Sequence, residues 1–513
     1  PYIDKLGGTA TESFLLCGAA FFSGKYFREE FFTMGTTGIQ VFIILVYIGV
    51  LFGISWYVKH KAAASTEAYV LAGRKLTTPL IMVSIVGLAV GGASTIGVAE
   101  QAYKVGLSAG WYTAAWGIGA IVMGLTVAKK YRQLNITTVP ELLERYYDRR
   151  SMVAGIGCQV LVQLVIMSLQ YVAGGAILAA LMPNIFTPVT GMLTSAVVFI
   201  GITLIGGMWS ASQSNVLNVT LQYIGITVAA FLILGMAGGI DVVAIQAPSI
   251  TSMDLISGVG PMTIVTWIVV LITVNVSLQA IIQISLGAKD VQTARKGFII
   301  GGLVMLPVGF IAALLGVIAA EMYPAISPTT ALPKLIMSLN PWIAGVTLAS
   351  LWAADVSTAC NLLLSAATLY SHDIHKQFID PNMSDKKYMT VTRISVLLLG
   401  LLTLGFALTI SGIISTLMAG LSLMTAFAVI VLMTMYAPKY CSRQAAFYTI
   451  LASIIVLVAW MFVPAVRVLP HVIYAEWIVC AVTFCGISFV SKKAIATDGL
   501  VEEAKTVGAP AQH

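Results

Sequence analysis

The chain has 513 residues, of which 58% are hydrophobic and 10% charged, with a net charge of +7 and a mean hydropathy of +0.94. A soluble surface needs roughly a quarter of residues charged, so an ordinary soluble enzyme, a disordered chain and a disulfide-stapled secreted module are excluded. A nucleic-acid binder is excluded too, because the Lys and Arg lie in short gaps between long apolar runs instead of clustering on one face.

The six cysteines form no CxxC-type metal pattern and imply no disulfide framework. The opening PYIDKLGGTATES lacks the basic region and apolar core of a signal peptide. A helical crossing takes roughly 20 apolar residues, and thirteen runs qualify: 38–58, 80–102, 107–128, 151–182, 188–207, 213–238, 262–287, 297–321, 342–370, 390–411, 413–436, 445–465 and 470–490. Residues 1–37 carry one short run, FLLCGAAFF, beside the charged KYFREEFF, and are expected to form an interfacial segment. The stretch 323–341 has flanking prolines and an amphipathic middle, which predicts an external helical lid. The expected class is an all-α polytopic membrane protein, since a β-barrel would show alternating segments of about ten residues. Placing the N-terminus outside puts 22 of the 28 Lys and Arg in cytoplasmic loops and tail, as retention of positive charge on that side requires.

Three features depart from this apolar pattern at an energetic cost. In the second run, IVGLAVGGASTIG holds Gly91 and Gly92. Paired glycines break or kink helices, or else allow close helix packing. A break would free the carbonyls of Gly87 to Val90 as cation ligands and aim the amides from Ala93 onward at a polar group. In the ninth run, Ala354, Ser357 and Thr358 share one helical face. That face offers a carbonyl and two hydroxyls as neutral oxygen ligands, although such hydroxyls also back-bond to their own turn. Asp355 follows directly, and an acid at mid-membrane must meet a partner, a cavity or a cation, or be protonated. It is the candidate coupling residue. The third feature is a set of four-spaced polar stripes: Ser210, Ser214, Asn218 and Gln222; Asn275, Gln279 and Gln283; Gln159 and Gln163. These either glue helices together or line a solute path.

At these residues the chain resembles the sodium:solute symporter family. TIGVAEQAYKVGLSAGWY is similar to the family's broken first core helix, ITLIGGMWS with SNVLN to its fifth, QAIIQISLGAKDVQTARKG to the segment after the sixth, and AADVSTACNLLLSAATLYSHDI to the eighth. The resemblance implies a LeuT-type five-plus-five inverted repeat: a leading helix (38–58), repeat one (80–238), repeat two (262–436), two trailing helices (445–490) and a cytoplasmic tail (491–513). It implies one sodium site at Gly87, Val90, Ala354, Ser357 and Thr358, with sodium as co-transported ion and no other cofactor. Many relatives carry an Asp where this chain has Asn215, so the resemblance does not extend to a second sodium. The positions that hold a sugar in sugar carriers are Ala89, Thr113 and Leu278 here, which disfavours a sugar.

The expected function is sodium-coupled import of a small polar organic solute, an amino acid or short carboxylic acid, by a monomer in the cell membrane. Ser94, Thr113, Trp116, Asn275 and Gln279 are the candidate solute residues. A proton-coupled carrier using Asp355, an ion channel and a membrane sensor are the alternatives. A channel needs a continuous polar pore, whereas bulky apolar residues interrupt these stripes. A sensor would append a signalling domain, and the residues after 491 are too few for one. No nucleophile–base pair has the spacing for catalysis, so an enzyme is not expected.

Overall fold

The computed structural model describes residues 36–246, 253–409, 418, 420–491 and 494–495. The expected interfacial segment at 1–37 and the tail after 491 lie almost entirely outside these. The described residues form helices without a named strand, the outcome that a lipid environment imposes when every backbone group must be satisfied within the protein. Starts are written in the sequence. Asp148, Asp290 and Ser384 each accept an amide three residues on. Thr187 and Thr190 form a reciprocal capping box ahead of Pro188, and Asn340 caps ahead of Pro341.

The main helices are α1 (Thr36–Ala62), α2 (Thr78–Ala89), α3 (Ile96–Val105), α4 (Trp111–Leu125), α5 (Arg149–Leu181), α6 (Pro188–Met236), α7 (Pro261–Ser277), α8 (Gln279–Leu286), α9 (Val291–Met305), α10 (Val308–Met322), α11 (Pro341–Thr368), α12 (Asp385–Ala407), α13 (Met424–Tyr436), α14 (Ala445–Phe462) and α15 (Val472–Val490). Among the described residues, eight helices are long and apolar enough to cross a membrane, or up to eleven if each of three bent pairs is one span. The thirteen expected runs differ from this total for two reasons. Two of them lie in α6, which has 49 residues, roughly 74 Å of helix against a hydrocarbon core of about 30 Å. The other, Gly420–Tyr436, is shorter than a full span.

Helix α6 is interrupted at Gly207, which sits at φ 49°, ψ −137°. A Cβ there would lie 2.5 Å from the Tyr69 carbonyl oxygen, so only glycine allows this turn. The stretch 323–341 holds a short 3-10 turn and the helix Ala331–Ile336, whose Leu332, Leu335 and Ile336 are buried.

Of the three bent pairs, α2 and the segment from Gly92 meet at 73°, and α7 and α8 at 51°. They are the spans expected to open each repeat. A parallel bridge between Leu76 and Ala288 ties the segment before α2 to the one after α8. Helix α11 is the central pillar, buried from Thr347 through Thr368 on every side. It packs most extensively on α6 and also on α5, α1 and α2.

Candidate functional site

Helix α2 ends at Ala89, and the chain passes through Val90 (φ −99°, ψ 62°) and Gly91 (φ −96°, ψ −157°) before a 3-10 turn at Gly92–Ser94. The glycine pair therefore breaks the helix instead of serving only as a packing surface. Close approach explains why both positions lack side chains. A Cβ on Gly91 would lie 2.4 Å from both Gln170 Oε1 and Thr358 Oγ1, and one on Gly92 2.3 Å from the Ala173 Cβ and 2.6 Å from Asp355 Oδ1.

Opposite the break stands α11. Ser357 Oγ donates to the carbonyl of Gly87 at 2.8 Å and Thr358 Oγ1 to the same oxygen at 2.9 Å. Both hydroxyls also reach Ala354 O, at 2.8 and 3.2 Å. Four of the five expected sodium ligands thus form one buried cluster of neutral oxygens, joined across 270 residues of sequence. The fifth, Val90 O, accepts from Gln222 Nε2 at 3.0 Å and keeps a second lone pair. The cluster is uncharged, with hard oxygens that suit a monovalent cation better than a divalent one, which prefers carboxylates. Asn215 packs against it, 2.9 Å from where a Cβ on Gly87 would stand, and neither polar atom of its side chain has a protein partner.

The candidate solute residues do not all converge. Ser94 and Thr113 meet, with Thr113 Oγ1 donating to Ser94 O at 3.1 Å, and Ser94 Oγ donating to Ala89 O at 2.6 Å. Trp116 Nε1 donates to the Tyr112 hydroxyl. Asn275 donates to Leu271 O and leaves its own Oδ1 unpaired. Gln279 points elsewhere: its amide group spans Val139 N and Thr137 O.

The stripes resolve mainly into fasteners. Ser210 pairs with Ser55 at 2.5 Å, Asn218 with the Tyr47 hydroxyl at 2.5 Å, and Gln283 donates to Val70 O at 2.7 Å. Gln159 does more. Its Nε2 donates to Ser277 O and its Oε1 accepts from Gln279 N, so one side chain holds both sides of the second break. At the first break Gln170 Oε1 accepts from Gly92 N at 2.8 Å. Gln170 was not singled out from the sequence. The available signal is its spacing of eleven residues from Gln159, three helical turns, which sets both on one face of α5 about 16.5 Å apart.

Asp355 is fully buried beside Gly92, whose backbone amide acts on the carboxylate although neither oxygen meets a donor at full hydrogen-bond geometry. The other fully buried acids differ. Asp373 Oδ1 takes Thr138 Oγ1 and His372 Nδ1, both at 2.8 Å, and Glu476 Oε1 accepts from Ser422 at 3.2 Å.

Comparison with known proteins bears on the family and the fold. The chain is 25% identical over 398 residues to a sodium/glucose cotransporter of Vibrio parahaemolyticus, covering 70% of this chain and 73% of that one. It is 26% identical over 368 residues to a sodium/proline symporter of Haemophilus influenzae, covering 66% and 71%. A sodium-coupled sialic acid symporter solved substrate-bound and outward-open superposes with a TM-score of 0.75 over 89% of this chain and 98% of that one, at 16% identity, which establishes the LeuT-like fold. Residues 69–453 match the model of the sodium:solute symporter family. With three quarters of its length matched by that model and its relatives named above being transporters, this chain belongs to the sodium:solute symporter family.

Proposed function

We propose that the protein is a sodium-coupled importer of a small polar organic solute working by alternating access. The carrying observation is the convergence of Ser357 and Thr358 on the freed carbonyl of Gly87. A sodium ion seated among Gly87 O, Val90 O, Ala354 O and the two hydroxyls would replace those hydrogen bonds with ion–oxygen contacts. It would thereby tie α2 to α11 and hold the outward-facing arrangement. Its loss to the cytoplasm would loosen the tie and release the solute. Coupling is reciprocal, so solute raises sodium affinity by the factor that sodium raises solute affinity.

One charge crossing ~100 mV supplies ~2.3 kcal/mol, and a tenfold sodium gradient adds ~1.4 kcal/mol. Together these sustain a solute gradient of several hundredfold, enough for scavenging with one sodium. The solute lies beside the first break, where Ser94, Thr113 and Asp355 stand closest and Trp116 and Asn275 lie further along. Relatives named for glucose and for proline share the family, so membership leaves the solute class to the site residues. The N-terminus lies outside the cell membrane, on the distribution of Lys and Arg, and the protein acts as a monomer.

Uptake into proteoliposomes under imposed sodium or proton gradients tests this reading. Accumulation driven by sodium alone is expected. Accumulation driven by protons in the absence of sodium would transfer the coupling role to Asp355 and overturn it.

A further inference from the structure

We infer that His372 and Asp373 form a cytoplasmic proton sensor that sets how firmly the second broken span is held closed. This rests on the symporter reading above and adds a control on its cytoplasmic step. The ninth run ends at 370, so with the N-terminus outside both residues lie on the cytoplasmic side, in the helical stretch Leu369–Ile379 that continues α11.

The connection runs bond by bond. Gln279 opens α8, and its Oε1 accepts from Val139 N at 2.7 Å while its Nε2 donates to Thr137 O at 3.3 Å. Val139 N is one of the amides that a helix start leaves without an internal partner, and the helix it opens is Val139–Tyr146. Thr138 caps that helix by accepting from Glu141 N at 3.1 Å, and its hydroxyl donates to Asp373 Oδ1 at 2.8 Å. Thr138, Gln279 and Asp373 are all fully buried. One short helix is thus bonded on one side to the broken span and on the other to the end of α11. A cytoplasmic opening that moves α8 away from α11 must break this chain.

Its titratable link is at the far end. His372 Nδ1 donates to the same Asp373 oxygen at 2.8 Å, and His372 also lines a cavity of about 530 Å³. Asp373 is sealed off, so protons reach the pair through His372. Glu141, Glu144, Arg149 and Lys376 share that cavity, two acids against two bases. The Tyr388 ring of α12 stands edge-on to His372 at 6.5 Å, and His375 of the same stretch packs on Tyr370. Burial opposes the charged imidazolium, but the hydrogen bond and charge of Asp373, helped by Glu141, outweigh burial and Lys376 and hold the His372 pKa above its ordinary 6.5.

The sign follows by linkage. Below the ordinary value His372 is charged and Asp373 has its counter-ion within the closed chain of bonds. As pH rises through the raised value, the imidazole loses its proton and a buried carboxylate is left uncompensated. The closed arrangement then loses stability against an open one in which Asp373 meets water. Acid on the cytoplasmic side tightens the clasp and slows opening, and base loosens it.

The test uses the full-length protein in lipid nanodiscs and in proteoliposomes. Amide hydrogen exchange of residues 137–146, corrected for the intrinsic effect of pH, should be slower at pH 6 than at pH 8 by about fivefold. Sodium-driven uptake should be slower with the internal pH held at 6 than at 8, at one sodium gradient. Asp373→Asn keeps an acceptor for Thr138 without the charge, and His372→Gln keeps a donor without the titration, so both should respond to pH in neither measurement. Thr138→Val should exchange fast at either pH, and Thr138→Ser should restore the wild-type response. A wild type flat in either measurement, a response of opposite sign, or one that persists in Asp373→Asn or His372→Gln would overturn the inference. If sodium drives no uptake at all, the symporter reading falls, and hydrogen exchange still decides the sensor.

Discussion

Each hydroxyl at the centre of this site has two duties. Ser357 Oγ and Thr358 Oγ1 each lie within hydrogen-bond distance of both Gly87 O and Ala354 O, and each has one proton to share between them, so removing either leaves the two carbonyls with a single shared donor and a cation short of a ligand. A lost oxygen of this kind is worth about 1–2 kcal/mol. Ser357→Ala and Thr358→Ala should each raise the sodium concentration for half-maximal uptake about tenfold, and the double variant should abolish sodium-driven accumulation. Sodium titration of uptake measures both. At Gly92 the constraint is spatial. Gly92→Ala sets a methyl 2.3 Å from the Ala173 Cβ, and such overpacking costs about 1–3 kcal/mol. Ala173→Gly in the same protein is expected to restore part of the loss of thermal stability, because Asp355 is a side chain that can move aside. The glycine pair and the Ala-x-x-Ser-Thr face were legible in the sequence because each violates what an apolar helix needs. Gln170 was not, because a helical glutamine carries no mark of the amide it will meet.

Among the helices, α5 stands out for holding two of the interrupted spans by glutamines on one face. A break leaves backbone groups that lipid cannot satisfy, and these side chains satisfy them. Gln159→Glu keeps the acceptor for Gln279 N and loses the donor to Ser277 O, whereas Gln159→Ala loses both. The expected order of sodium-driven uptake is wild type, then Gln159→Glu, then Gln159→Ala, measured at equal membrane abundance. Helix α6 shows the opposite case, a single helical label over two apolar runs, and its turn depends on Gly207. Gly207→Ala places a Cβ 2.5 Å from Tyr69 O at positive φ, which should lower the yield of folded protein more than any substitution on the lipid-facing side of α6. The two runs were read from hydropathy as separate crossings. That they join without a loop follows from one backbone conformation that hydropathy does not report.

For the whole molecule, the proposed orientation rests on charge. With the N-terminus outside, Lys289 lies on the cytoplasmic side and Asp254 on the external side, and both are exposed. Lys289→Cys should react with a membrane-impermeant thiol reagent only after permeabilisation, and Asp254→Cys in intact cells, each measured above the wild-type background. The reverse pattern would invert the topology, although the solute would still follow sodium down its gradient.

Composition and hydropathy pattern were enough for the class and the approximate apolar runs, and they marked Gly91 and Gly92 as one place where a helix could fail, because in a bilayer each polar or flexible residue in an apolar run carries a free-energy cost that has to be answered. Which group answers it is a matter of three-dimensional contact. Only the folded chain brings Gly87 against residues 270 positions away, turns Gln279 to the segment at 137–139, and buries Asp355 beside Gly92. The physical reason is that a cost is local to a residue, whereas its compensation comes from helices packed across the core.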